Sequence, residues 1–66
     1  MTVGTVKWFD DSKGLGLIRS ESGTEVSVHF SEIRCEGFRT LLEGEEVEFE
    51  IRETHLGLQA ANVNRH

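Results

Sequence analysis

The stretch from Glu46 to Arg52 constrains the fold of this chain more than any other segment. Val47, Phe49 and Ile51 alternate there with charged residues. This period of two is typical of a β-strand with one buried and one solvated face. The chain also lacks proline and contains no stretch with the periodicity of a full helix. An all-β fold is therefore predicted.

Four further segments are predicted to be strands. Residues 26–30 and 58–64 alternate in the same way, and in the second of these Gln59, Ala61 and Val63 share one face. Residues 2–10 are rich in valine and threonine, and residues 15–19 lie between two groups of turn-forming residues. The chain should thus contain five strands.

The connections between these segments predict how the strands are arranged. Short turns join the first three strands into a meander, whereas residues 31–44 form a long connection to the fourth. One helical turn is expected near residues 31–33, with Ser31 as its N-cap. Five short strands with one long crossing connection favour an antiparallel Greek-key barrel, whose closure removes exposed sheet edges. At 66 residues the chain is expected to form a single domain, 1–66.

Composition limits the classes of function. Cys35 is the only cysteine and cannot form an internal disulfide, which favours a reducing compartment; with no signal-peptide pattern, we expect a cytoplasmic protein. No apolar run approaches the roughly 20 residues of a membrane span. The formal charge of −5 argues against wholesale phosphate neutralisation, but acids crowd residues 43–53 and leave the rest of the chain less negative. These acids are interpreted as the solvated face of a strand.

One face of the predicted barrel carries the candidate binding residues. If Ile18, Val26 and Val28 point inward, then the neighbouring side chains of strands two and three point outward, and cations and aromatic residues flank them. The outward set is Leu15, Leu17, Ser27 and His29, flanked by Lys7, Trp8, Lys13 and Phe30. Trp8 and Phe9 should point to opposite faces because they are adjacent in a strand. Aromatic side chains interleaved with cations are typical of single-stranded nucleic-acid binding.

The motifs on this face resemble those of bacterial cold-shock proteins. The matching segments are Val6-Lys7-Trp8-Phe9, Lys13-Gly14-Leu15-Gly16-Leu17-Ile18, Val26-Ser27-Val28-His29-Phe30-Ser31, Glu36-Gly37-Phe38, Glu43-Gly44 and Gln59-Ala60-Ala61-Asn62-Val63, and they cover nearly the whole chain. The resemblance implies an oligonucleotide-binding fold that binds single-stranded DNA or RNA, prefers pyrimidine-rich stretches and acts as an RNA chaperone or a regulator of transcription or translation.

Residue by residue, the resemblance implies a binding site with several departures. The matched positions are Lys7, Trp8, Lys13, His29, Phe30 and Phe38, with Arg39 as a further candidate near the phosphates. The family usually has phenylalanine where this chain has Leu15, Leu17 and Ser27, and asparagine where it has Asp10. Binding by a monomer with reduced affinity is therefore expected.

Several alternatives stay open at this point. Trp8 could be a core residue in so small a protein. Leu15 and Leu17 could form a contact surface for another protein on a barrel that has lost nucleic-acid binding. Cys35 and the histidines lack the spacing of a metal site, no nucleotide-cofactor fingerprint is complete, and no nucleophile motif is present, so no metal, cofactor or enzymatic activity is predicted.

Overall fold

Five strands and one short helical turn form the described part of the chain. The computed structural model describes residues 2–34 and 40–65. In chain order the elements are β1 (Thr2–Asp10), β2 (Leu15–Ser20), β3 (Glu25–His29), a 3-10 turn (Phe30–Glu32), β4 (Glu46–Thr54) and β5 (Gly57–Arg65). The all-β class predicted from the alternation is confirmed.

The strands close into a barrel in the order β1-β2-β3-β5-β4, with β1 and β4 also paired. The first three strands form the predicted antiparallel meander. Among the strand pairs of the described residues, only β3–β5 is parallel, through Ser27 and Gln59, and an isolated bridge between Ile33 and Val63 is parallel as well. The prediction of an antiparallel barrel is therefore refined at this one seam. Because the barrel is closed, each of its strands in the described residues pairs with a neighbour on both sides.

The core fills the barrel with small branched side chains around one aromatic ring. Phe49 is fully buried. Phe9 and Leu58 pack against the core from its rim. The buried cluster consists of Val6, Ile18, Val26, Val28, Ile33, Leu41, Val47, Phe49, Ala60 and Val63. Burial of Ile18, Val26 and Val28 fixes which face of β2 and β3 points to solvent, because side chains alternate along a strand.

The prediction for β4 was wrong at one residue. Val47 and Phe49 are buried as their alternation predicts, but Ile51 is 39% exposed. Both faces of β4 beyond Phe49 are exposed as far as Glu53. The end of β4 thus extends past the core, and Ile51 has too little of the barrel behind it to be covered.

The uninterrupted alternation predicted for β5 was also wrong. Asn62 has a positive φ of 52°, and the β4–β5 register shifts between Glu48 and Glu50 because β5 carries an extra residue there. Ala60 and Val63 lie in the core cluster, and the adjacent Ala61 is buried as well, so burial along β5 does not alternate. Asparagine is among the few residues that adopt this left-handed conformation readily.

The helical turn after β3 begins one residue earlier than predicted and has a different cap. It spans Phe30–Glu32, and the N-cap is His29 rather than Ser31. The His29 Nδ1 atom accepts a hydrogen bond from the Ser31 backbone N–H at 3.2 Å. An imidazole nitrogen thus fills the role that a serine hydroxyl usually has at this position. Helices in the described ranges are all too short or too polar to cross a membrane.

Candidate nucleic-acid interface

A row of outward side chains crosses the first three strands of the barrel. Trp8 of β1 pairs with Leu17 of β2, and Leu17 pairs with Ser27 of β3. Paired residues in neighbouring strands present their side chains to the same face. Trp8 is 48% exposed, which rules out the alternative of a core tryptophan. The indole is thus available to a ligand at one end of this row. We call the outer surface formed by Trp8, Leu17 and Ser27, together with the neighbouring Leu15 and His29, the platform.

A β-bulge in β1 puts Lys7 and Trp8 on the solvent side together. Val6 pairs with Ile18 and Trp8 with Leu17, so Lys7 is an extra residue in β1. Val6 is buried and Phe9 is half-buried against the core. These residues are three positions apart, and in a regular strand two side chains at an odd spacing point to opposite faces, so a bulge is needed to direct both inward. That odd spacing of two apolar residues is the signal from which the bulge could have been predicted.

A second outward row lies beside the first and carries the other aromatic side chain. Leu15 pairs with His29. The His29 ring contacts the adjacent Phe30 ring at a centroid distance of 4.6 Å. Phe30 is 43% exposed, and its backbone N–H donates to the Gly14 carbonyl oxygen at 2.9 Å. The β1–β2 turn and the end of β3 therefore fix Phe30 jointly.

Asp10 organises the turn that carries Lys13. Its Oδ1 atom accepts hydrogen bonds from the Ser12 hydroxyl at 2.6 Å, the Ser12 N–H at 3.0 Å and the Lys13 N–H at 3.3 Å. The Ser12 hydroxyl bond is the largest cause of a lowered pKa for the Asp10 carboxyl, so this group stays ionised to low pH. The Asp10 carboxylate thus stabilises the turn in which the exposed Lys13 lies.

Glu46 and Glu48, at the start of β4, pair with Thr5 and Val3 of β1 and lie away from the platform. Strand β4 pairs with β1 and β5, and the described residues show no pairing of β4 with β2 or β3. At the far end of β2, the Arg19 guanidinium pairs with the Glu25 carboxylate at 2.8 Å. Lys7 and Lys13 are both exposed. The acidic residues at the start of β4 therefore do not add their charge to this face.

The three positions that lack aromatic rings lie in the middle of the platform. Leu15 is 43% exposed, Leu17 is half-buried and Ser27 is exposed. The Ser27 hydroxyl lies 3.5 Å from the Leu58 carbonyl oxygen, which is the long limit of a hydrogen bond. The centre of the platform thus offers aliphatic surface and a weakly engaged hydroxyl.

Strand pairing extends the platform to two residues that the sequence analysis missed. Gln59 of β5 pairs with Ser27, and Arg52 of β4 pairs with Gln59. Arg52 is exposed and Gln59 is half-buried. The alternation in β4 predicts that Arg52 points outward, but the β3–β5 pairing that joins Gln59 and Arg52 to the first row is not visible in the sequence.

The roles predicted for Phe38 and Arg39 lie outside the described residues. Thr40, the next residue after them, donates a hydrogen bond from its hydroxyl to the Asp11 carboxylate. The chain is therefore attached to the β1–β2 turn at Thr40. Elsewhere in residues 2–34 and 40–65, His, Asp and Glu side chains form no group of three or more that could hold a metal ion.

A closed barrel of five strands in the order β1-β2-β3-β5-β4, with Trp8 exposed on its outer face, belongs to the oligonucleotide-binding class of β-barrels. The model of the 'Cold-shock' DNA-binding domain matches residues 2–66. The chain belongs to the cold-shock domain family, as its motifs predict.

Curated relatives agree with this assignment over almost the whole chain. The chain is 54% identical to cold shock-like protein CspD of Bacillus cereus over 65 residues, which are 98% of each protein. It is 57% identical to a cold shock-like protein of Thermotoga maritima over 60 residues, or 91% of each. The solved structure of Drosophila Unr CSD456 matches 98% of this chain and 26% of that chain, with a TM-score of 0.80 at 24% identity. That likeness supports the fold alone.

Proposed function

We propose that this chain binds single-stranded DNA or RNA along the outer face of β1, β2 and β3. The observation that carries the proposal is the row formed by Trp8, Leu17 and Ser27, with the indole 48% exposed at its end. Stacking on an aromatic face suits any base, because every base has a π-face. Membership of the cold-shock domain family supports the same function.

Two aromatic side chains provide the stacking surfaces in the described part of the chain. Trp8 lies at the end of the first row, and Phe30 lies beyond the second, next to His29. Lys7 stands beside the indole, and Lys13 stands in the turn next to Phe30. Bases stack on the rings while the two ammonium groups attract the phosphates. Phe38 and Arg39 are proposed as further contacts.

Affinity is expected to be lower than a platform of aromatic side chains would give. Leu15, Leu17 and Ser27 stand where stacking rings would extend the surface between Trp8 and Phe30. Loss of about 1 kcal/mol for each ring sums to roughly 3 kcal/mol, or a weakening on the order of a hundredfold. The exposed Leu15 and the half-buried Leu17 offset part of this loss through apolar contact.

The finer properties implied by the family resemblance belong to the same proposal. They are a preference for pyrimidine-rich strands, action as a monomer in the cytoplasm and a role as an RNA chaperone or a regulator of transcription or translation. Closure of the barrel supports the monomer, since no strand of the described barrel offers a free edge to a second copy. The competing function is a protein-contact surface at Leu15 and Leu17, and the chain's family membership favours nucleic-acid binding over it.

Titration of the Trp8 fluorescence with a short oligothymidine tests the proposal. Trp8 is the only tryptophan, so quenching reports on the platform itself. At low salt we expect saturable quenching that weakens as salt rises. Trp8→Phe, which keeps a ring but removes the indole signal, should still bind when the binding is followed by a label on the oligonucleotide. Absence of binding at millimolar oligonucleotide would refute the proposal.

A further inference from the structure

A concavity of about 320 Å³ lies beside the platform, between β3, the 3-10 turn and β5. The exposed Leu15, the small side chain of Ser27 and the half-buried Gln59 are among its lining residues. Its other walls include His29 and Glu32. Apolar surface with a few convergent polar groups is the composition of a small-ligand pocket, and the size is sufficient for one base.

Two polar side chains of this concavity are available to a ligand. The Ser27 hydroxyl is held only by the 3.5 Å contact with the Leu58 carbonyl oxygen. The Gln59 amide has no side-chain hydrogen bond to any residue in the described ranges. The amide can both donate and accept, so it can follow the edge of any base. These two groups therefore provide binding without selectivity.

Glu32 is the group that can discriminate between bases. Its Oε1 atom accepts a hydrogen bond from the Asn62 backbone N–H at 3.3 Å, so the carboxylate is held at the wall of the concavity. An ionised carboxylate only accepts hydrogen bonds. The exocyclic amino groups of cytosine, adenine and guanine donate, and a carboxylate to the cytosine amino group is a known specific contact. Thymine and uracil instead present carbonyl oxygens on both sides of their single N–H.

We propose that this concavity, which we call the Glu32 pocket, receives one base edge-on and selects a base with an exocyclic amino group over thymine or uracil. The inference rests on the proposed function, because the base must be delivered by a strand bound on the platform. Bases of single strands are read on their Watson–Crick edges, which are exposed when the strand is unpaired. Cytosine satisfies this selectivity and the preference for pyrimidines together.

The test compares oligodeoxycytidine with oligothymidine of equal length at low salt, by Trp8 fluorescence. We expect tighter binding of the cytidine strand by about fivefold to a hundredfold, the range of one specific base contact. Glu32→Gln should abolish or reverse this ratio, because the glutamine amide can donate to a thymine carbonyl oxygen. Its remaining carbonyl oxygen can still accept from the Asn62 N–H, so the fold is retained. Ser27→Phe, which fills the pocket, should also abolish the ratio.

Glu43→Gln is the matched control, since it removes the same charge from an exposed loop position. It should leave the ratio of the two affinities unchanged. Equal affinities for both strands, or a preference for thymidine that Glu32→Gln does not alter, would overturn the Glu32 pocket and leave the proposed function standing. If neither strand bound, the proposed function would fail and the pocket with it.

Discussion

A Cβ atom on Gly14 would lie 2.6 Å from Cδ1 of the Phe30 ring. Gly14 also has a φ of +69°, a conformation that side chains other than glycine rarely adopt. The ring of Phe30 thus rests directly on the backbone of the β1–β2 turn. The position of the Phe30 ring, one stacking surface of the proposed interface, therefore requires that residue 14 has no side chain.

Gly14→Ala should therefore weaken oligonucleotide binding as well as stability. The new methyl group must displace the Phe30 ring, and the positive φ adds a strain of about 1–3 kcal/mol. Gly23→Ala is the matched control because Gly23 has a φ of +93° but no atom within 4 Å of its added Cβ. Thermal unfolding should show both variants destabilised, while Trp8 fluorescence should show reduced affinity for Gly14→Ala alone. Equal losses of affinity would contradict this account of Phe30.

Restoring rings on the platform should increase affinity. The triple change Leu15→Phe, Leu17→Phe and Ser27→Phe adds stacking surface between Trp8 and Phe30, and an increase of more than about tenfold is expected. Isothermal titration with oligothymidine measures the change.

Leu42→Phe serves as the control for this triple variant, because Leu42 is 67% exposed in the connection before β4. A ring there lies on neither outward row and should not alter affinity. An unchanged affinity in the triple variant would show that the platform has been assigned to the wrong face.

The two lysines should determine how steeply binding depends on salt. Each phosphate neutralised on a single strand contributes about 0.7 to the slope of log affinity against log salt. Lys7→Gln and Lys13→Gln should each lower the slope by about that amount. Arg19→Gln should not, since the Glu25 carboxylate already pairs with that guanidinium at 2.8 Å. A slope unaffected by both lysine variants would place the phosphates elsewhere.

The pKa of Asp10 should depend on Ser12. The Ser12 hydroxyl bond is the main cause of the lowered pKa of Asp10, so Ser12→Ala should raise that pKa toward its ordinary value. Because the folded-state pKa lies below that of the unfolded chain, the associated stability is present above the unfolded-state pKa. It is lost as pH falls through the folded-state pKa. Carboxyl NMR titration measures the shift, and Ser22→Ala in the β2–β3 turn should leave it unchanged.

The bulge in β5 should tolerate glycine better than a β-branched residue. Asn62→Val forces a stiff side chain into a φ of 52°, at a cost of about 1–3 kcal/mol. Asn62→Gly retains the backbone conformation and loses the exposed hydrogen bonds with Glu50 and Arg34. Denaturant unfolding should therefore rank the valine variant below the glycine variant. Both variants lose these bonds, so the opposite order would show that the positive φ does not explain the asparagine.

The sequence predicted the strands because alternation reports directly on burial. It failed where a strand departs from strict alternation. The bulges at Lys7 and Asn62 each insert one residue into a strand. A strict period of two does not predict such an insertion; only apolar residues at an odd spacing indicate it. Ile51 belongs to a strand as predicted, yet it lies beyond the core, and the pattern does not show how far a core extends.

The first row of the proposed interface was predictable for a different reason. Trp8, Leu17 and Ser27 lie on strands joined by short turns, so local pairing brings them together. Gln59 reaches the same row only through the parallel pairing with Ser27, across 32 positions of sequence (59 minus 27). Such long-range pairing is a property of the closed barrel. The Glu32 pocket could not be predicted, since it forms only where β3 and β5 meet.

The parallel pairing of β3 with β5 is one of two long-range contacts that close the barrel, beside the pairing of β1 with β4. The hairpins form from neighbours in sequence, whereas this seam must first close a long loop. Its described pairing is limited to Ser27 with Gln59 and to the bridge between Ile33 and Val63. Local opening should therefore begin there, and amide hydrogens along it should exchange before those of the hairpins. A base in the Glu32 pocket would contact both β3 and β5, so ligand binding should slow the amide hydrogen exchange of the residues along this seam.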